Sequence, residues 1–188
     1  MQKIILASGS PRRKQLLEWA EIDFEVLVSD ADESFPKGMA FDGVAMHIAF
    51  NKALAVQQKL SASQTIIAAD TIVICNNRII GKPRDREDAI AILNELSGNV
   101  HEVITGVAIL GADKKIIFAD STTVHFHPLS QEQIVFYIDH YKPYDKAGAY
   151  AIQEWIGVVG IKKVEGCFYN VMGLPVSRVV QALQKLEE

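Results

Sequence analysis

Lys3-Ile4-Ile5-Leu6-Ala7-Ser8-Gly9-Ser10-Pro11-Arg12-Arg13-Lys14-Gln15-Leu16-Leu17 is the stretch that decides how this chain folds. The run from Lys3 to Ala7 is short, apolar and partly β-branched, which predicts a buried strand. Ser8-Gly9-Ser10-Pro11 breaks it. Ser10 suits a helix N-cap, and Pro11 suits the first helical position, where a missing N–H costs nothing. Leu16, Leu17 and Ala20, with Trp19 beside them, give the following helix an apolar face. The stretch therefore reads as strand, tight polar loop, helix.

The same alternation continues. Residues 24–28 predict a second strand, 44–60 a helix, and 65–69 a strand ending at Asp70. Residues 72–74 run on extended to an Asn76-Asn77 turn signal. A helix is expected over 85–96, stopped by Ser97-Gly98. Residues 100–110 and 115–127 predict a hairpin around 111–114. Ser130 with Gln133 is a capping-box pattern, so a helix should run to about Tyr141. Residues 145–153 read as irregular, 158–164 as a strand, and the chain after Gly173-Leu174-Pro175 as a helix through Leu186. Alternating elements with one long hairpin predict an α/β protein with a mixed sheet.

The composition is that of an ordinary globular protein. Hydrophobic residues make up 49% and charged residues 22% of the 188, which excludes a disordered chain. Lys+Arg number 19 against Asp+Glu 23, for a net charge of -4. No basic surplus supports nucleic-acid binding. No apolar stretch is long enough to span a membrane. Cys75 and Cys167 lie far apart with no zinc spacing, and a reduced cytoplasmic protein is the expected setting.

Three clusters can carry chemistry. The first is Ser8 to Lys14: a turn with hydroxyls, a helix N-terminus and three cations. Free N–H groups and the helix dipole favour an anion there, and an arginine fork fits phosphate oxygens. Cations in a first turn oppose the dipole, and an anionic ligand would compensate. The spacing is not that of a Walker A loop. The second cluster is Glu33 in the acidic loop 30–34, together with Asp70. Asp70 is expected at the C-terminal edge of its strand, where α/β sheets gather ligands. Carboxylates beside phosphates commonly hold Mg²⁺ or Mn²⁺. Asp30 and Asp32 read as surface charge. The third is Lys52 on its helix and Lys82 in Gly81-Lys82-Pro83. Gln153 ends a run of small residues that would admit a flat ligand, and its amide both donates and accepts. His101 reads as a structural histidine rather than a base. His125 and His127 alternate on a strand without a third ligand.

Six segments, in register over nearly the whole chain, carry a resemblance. They are Ser8-Gly9-Ser10-Pro11-Arg12-Arg13, Ala69-Asp70-Thr71, Gly81-Lys82-Pro83, and Ser97-Gly98 with His101 and Thr105-Gly106. Asp145-Lys146-Ala147-Gly148-Ala149-Tyr150 with Gln153, and Asn170-Val171-Met172-Gly173-Leu174-Pro175, complete the set. Together they resemble the Maf family of nucleoside triphosphate pyrophosphatases, also called septum formation proteins.

The resemblance implies one Maf-like domain over residues 1–188. Its fold would be an elongated mixed sheet with flanking helices and a cleft between two lobes, similar to the inosine-triphosphate pyrophosphatases. It implies hydrolysis of a nucleoside triphosphate to monophosphate and pyrophosphate with a divalent metal (Mg, Mn or Co). Asp70 would be the catalytic base or a metal carboxylate, and Glu33 a second metal carboxylate. Ser8, Arg12, Arg13, Lys52 and Lys82 would hold phosphates; Arg13, Thr71 and Gln153 would mark substrate choice.

Within the family the chain is similar to the branch acting on dTTP and UTP. The branch acting on 7-methyl-GTP has an extra residue between the proline and the paired arginines. It also has Ser-Asp-Gln in place of Ala69-Asp70-Thr71, and glutamate near the Gln153 position. A neutral amide can pair with the O4 and N3–H edge of uracil or thymine, whereas a carboxylate suits a cationic guanine edge. Gly9 stands where Ala or Ser is commoner, and Ala151 where Gly is usual. The family implies a house-cleaning role, a link with septum formation and a homodimer. Two other functions fit such a chain: an inosine- or xanthosine-type triphosphate pyrophosphatase, and a nucleotide-binding regulator of cell division without significant turnover.

Overall fold

The computed structural model describes residues 4–28, 30–61 and 64–187. In chain order the elements are β1 (Ile4–Leu6), α1 (Pro11–Trp19), β2 (Phe24–Val26), α2 (Phe41–Gln57), β3 (Thr65–Cys75), β4 (Arg78–Ile80) and α3 (Arg86–Leu96). They continue with β5 (Val100–Leu110), β6 (Lys115–Phe126), α4 (Gln131–Tyr141), a 3-10 turn at Ala147–Ala149, α5 (Trp155–Gly160), β7 (Ile161–Glu165), α6 (Phe168–Met172) and α7 (Val176–Glu187). Seven strands form one mixed sheet in the order β2-β1-β3-β5-β6-β7, with β4 paired to β3. β1 lies parallel to both β2 and β3, Ile4 facing Phe24 and Thr65. β4 and β7 run antiparallel to β3 and β6.

The chain divides into two compact units. The first comprises residues 1–71, 105–120 and 173–188, and the second residues 72–104 and 121–172. In the first, α2 covers the sheet: Ala49, Ala53 and Val56 pack with Ile5, Ala7, Ile66, Ala68, Ala108 and Leu110. Gly106 makes this possible. A Cβ there would lie 2.2 Å from the Ala45 backbone, so only glycine lets α2 rest on β5. Leu16 and Leu17 anchor α1 and are fully buried. Burial of this kind stabilises by about 2 kcal/mol per leucine. In the second unit α3 packs against α4, and Leu93, Leu96, Ile134, Tyr137, Ile138 and Ile156 are fully buried.

Local turn and capping chemistry sets several of these elements. Asn76 and Asn77 both adopt positive φ, 50° and 58°, as a two-residue hairpin turn between β3 and β4 requires. Ser130 and Gln133 form the full capping box at α4. Asp85 caps α3, its carboxylate accepting from the Asp88 N–H. Cys75 and Cys167 are both free thiols. Among the described residues, no helix is long and apolar enough to cross a membrane.

Other expectations need correction. Ser10 occupies the N-cap of α1, but its side chain makes no capping bond. Its N–H instead donates to Ser8 Oγ at 3.3 Å. β3 does not stop at Asp70: the buried residues Ile72, Val73, Ile74 and Cys75 carry it on as one 11-residue strand. Asp70 therefore sits within the strand rather than at its end. Residues 158–164 are not one strand. Their β-branched residues suggest extension, but a Cβ on Gly157 would lie 1.7 Å from the Ile152 carbonyl oxygen. That close approach of glycine to a carbonyl accompanies a helical turn, α5, before β7 begins at Ile161. No local sequence signal marks the short elements β4 and α6.

Candidate active site

The first unit assembles two linked groups of polar side chains. One centres on Lys52, halfway along α2. Its ammonium lies 2.7 Å from Asp70 Oδ1 on β3 and 2.7 Å from Glu33 Oε1 in the acidic loop. Lys52 and Asp70 keep only 16% and 15% of their side-chain surface exposed, while Glu33 keeps 59%. The loop is shaped locally. Asp32 accepts from the Ser34 N–H at 2.9 Å and the Ser34 hydroxyl at 2.6 Å. Those bonds hold its carboxyl below the usual range. Asp32 thus shapes the turn that presents its neighbour Glu33.

The second group centres on Arg13, whose first-turn position on α1 is turned inward and is only 9% exposed. Its Nε donates to the Gly173 carbonyl at 2.8 Å, Nη1 to Ser8 Oγ at 3.1 Å, and Nη2 to Thr71 Oγ1 at 3.0 Å. Thr71 Oγ1 lies 2.9 Å from Thr105 Oγ1, which β5 contributes. Burial pushes the guanidinium down from its ordinary value, and the charge of Asp70 is the strongest influence raising it again. Arginine nevertheless stays protonated in proteins. The unfavourable placement of a cation at a helix N-terminus is thus offset by the Asp70 carboxylate. Arg13 is in large part a strut: one planar fork ties α1, the Ser8 loop, β3 and the turn before α7. Arg12 is half-buried, and Ser8 is buried.

The second unit holds Lys82 and Gln153, both exposed. Their segments are joined: the Gly148 N–H donates to the Gly81 carbonyl at 3.1 Å. Tyr150, in the same small-residue run, bonds through its hydroxyl to His101 Nε2 at 2.7 Å. His101 and Tyr150 also meet Phe126 edge to face, with ring centroids 5.1–5.4 Å apart. His101 is the structural histidine the sequence suggested. Burial, with the field of His125 second, lowers its pKa to about 4. His125 pairs with Glu165.

The donor set fits a hard divalent cation. Glu33 and Asp70 converge on one point, since both touch the same ammonium. A Mg²⁺-type ion is commonly held by one or two carboxylates with waters and substrate phosphates. Among the described residues there is no cluster of three or more His, Cys, Asp and Glu that could hold a metal ion. Nothing in the local sequence pattern marks Thr105 or the Gly173 carbonyl as partners of this group, although both lie in matching segments.

The chain is similar to several known proteins. A dTTP/UTP pyrophosphatase of Parabacteroides distasonis is 49% identical over 183 residues, covering 97% of this chain and 95% of that one. One from Cytophaga hutchinsonii is 50% identical, covering 97% and 84%. One from Porphyromonas gingivalis is 46% identical, covering 99% and 95%. Among solved structures, the Staphylococcus aureus Ham1 protein has a TM-score of 0.54 at 16% identity, over the full length of both chains. A HAM1 protein from Coxiella burnetii has a TM-score of 0.50 at 14% identity, covering 98% and 100%. At such identities these two are similar in fold alone. The sequence profile described as "Maf-like protein" matches residues 3–186, and the chain belongs to that family.

Proposed function

We propose that this protein hydrolyses dTTP and UTP, and modified pyrimidine triphosphates of the same shape, to the monophosphate and pyrophosphate. The observation that carries the reading is the Glu33–Lys52–Asp70 cluster beside the buried Arg13. It offers a carboxylate base and cations, and it lies in a chain nearly half identical to dTTP/UTP pyrophosphatases.

In this reading a water attacks the α-phosphorus. Asp70 takes the water proton, the bond from the α-phosphorus to the bridging oxygen breaks, and pyrophosphate leaves. Ser8, Arg12, Lys52 and Lys82 bind phosphate oxygens. Arg13 spends three N–H groups on its struts, which leaves two of its five for substrate. These cations oppose charge on the transferring and leaving oxygens. Glu33 and Asp70 would hold a divalent cation (Mg, Mn or Co), which when bound supplies Lewis-acid polarisation of a phosphate oxygen. Arg13, Thr71 and Gln153 set substrate choice, the Gln153 amide meeting the O4 and N3–H edge of the pyrimidine. Gly9 does not disturb this: a Cβ there would find only an ordinary 3.5 Å contact with Val28.

Action as one Maf-like domain, a homodimeric state, a cytoplasmic house-cleaning role and a link with septum formation belong to the same proposal. The two free thiols support the cytoplasmic placement.

The test is pyrophosphate release from a panel of nucleoside triphosphates with Mg²⁺, Mn²⁺ or Co²⁺, for wild type and Asp70→Asn. Release from dTTP and UTP that drops at least about 100-fold in the variant supports the reading. Release from inosine triphosphate instead would overturn the base assignment. Near-normal turnover by Asp70→Asn would remove Asp70 from the chemistry.

A further inference from the structure

The exposed side chain of Gln153 takes its direction from the backbone that carries it, and that backbone is held from outside its own segment. Tyr137, fully buried on α4, places one phenol oxygen against both flanks of Gln153. It accepts from the Ala151 N–H at 3.1 Å, two residues before. It donates to the Glu154 carboxylate, one residue after. Glu154 in turn faces the Lys146 ammonium at 3.7 Å, which also pairs with Asp145 at 2.8 Å. Removing the phenol oxygen frees two anchor points around one residue.

We propose that Tyr137 is a positioning residue for base selection, acting through Gln153: its hydroxyl clamps residues 151 and 154 and so aims the amide between them. The inference rests on the reading of Gln153 as the base-facing residue.

Tyr137→Phe removes the oxygen and keeps the ring, including its stacking on Tyr141 at 5.0 Å. Steady-state pyrophosphate release is measured with UTP, dTTP, GTP and inosine triphosphate in wild type, Tyr137→Phe, Gln153→Ala and the double variant. For Tyr137→Phe, kcat/KM with UTP and dTTP should fall about 5- to 10-fold, mostly through KM, and the preference over purine triphosphates should narrow by the same factor. In the Gln153→Ala background, Tyr137→Phe should leave the base preference unchanged. A residue that only supports the fold would instead cut activity on all four substrates equally in both backgrounds, and that result overturns the proposal. So does an unaltered base preference in Tyr137→Phe. If Gln153→Ala itself leaves the preference unchanged, the base-facing reading of Gln153 fails, which the single variant alone reveals. Should Tyr137→Phe not fold, Glu154→Ala breaks one of the two anchors and repeats the cycle, with the same loss of preference expected only when Gln153 is present.

Discussion

Acid should destabilise this protein through a single buried imidazole. His101 is 2% exposed and bonded to Tyr150 through Nε2, and its pKa falls from 6.5 to about 4. In the unfolded chain the same ring titrates near its ordinary value, so between pH 6.5 and 4 the unfolded state binds more protons than the folded one. Stability then rises with pH across that window and is complete above it. The interval is worth about 3 kcal/mol in full, and about 2 kcal/mol at pH 5. His101→Phe removes the titration and keeps an aromatic ring against Phe126 and Tyr150. It also loses the hydrogen bond, a pH-independent cost of about 1 kcal/mol. The assay is urea unfolding followed by tryptophan fluorescence; Trp155 lies in the same unit. Wild type should lose about 2 kcal/mol more than His101→Phe between neutral pH and pH 5. Equal losses in the two proteins would refute the reasoning, because the acid sensitivity would then come from other groups.

Arg13→Lys should behave as a severe change although the charge is kept. One ammonium cannot reach Gly173, Ser8 and Thr71 from three separate nitrogens. Each lost charged hydrogen bond costs about 1.5–3 kcal/mol, so a drop of about 3 kcal/mol in denaturant unfolding is expected. A change below about 0.5 kcal/mol would show that the struts carry no weight. Gly106→Ala places a methyl carbon 2.2 Å from the Ala45 backbone and must push α2 outward. Overpacking of this kind costs about 1–3 kcal/mol. Because α2 carries Lys52, kcat should fall in the fraction that remains folded, as read by pyrophosphate release normalised to folded protein. Wild-type kcat would mean that the helix re-seats without moving Lys52.

Local chemistry made much of this fold legible. The apolar run at Ile4 to Leu6, the Pro11 start of α1, the Asn76-Asn77 turn and the Ser130–Gln133 capping box are all decided by residues a few positions apart. Elements failed to declare themselves where a distant approach decided the outcome. Gly157 sits against the Ile152 carbonyl, and that contact accompanies a helical turn in a β-branched run. β3 runs past Asp70 because its further residues are buried by the rest of the fold.

The candidate site divides in the same way. Its residue types and order along the chain could be read directly, since phosphate chemistry demands hydroxyls, cations and carboxylates in a few tight loops. The partnerships could not. That Lys52 bridges Glu33 and Asp70, or that Arg13 points inward to Gly173, 160 residues away, depends on contacts between segments distant in the chain. Hydropathy and spacing report on which surfaces each segment can bury. Only the packing of those surfaces determines which buried donor meets which acceptor, and so which charged residue becomes a strut.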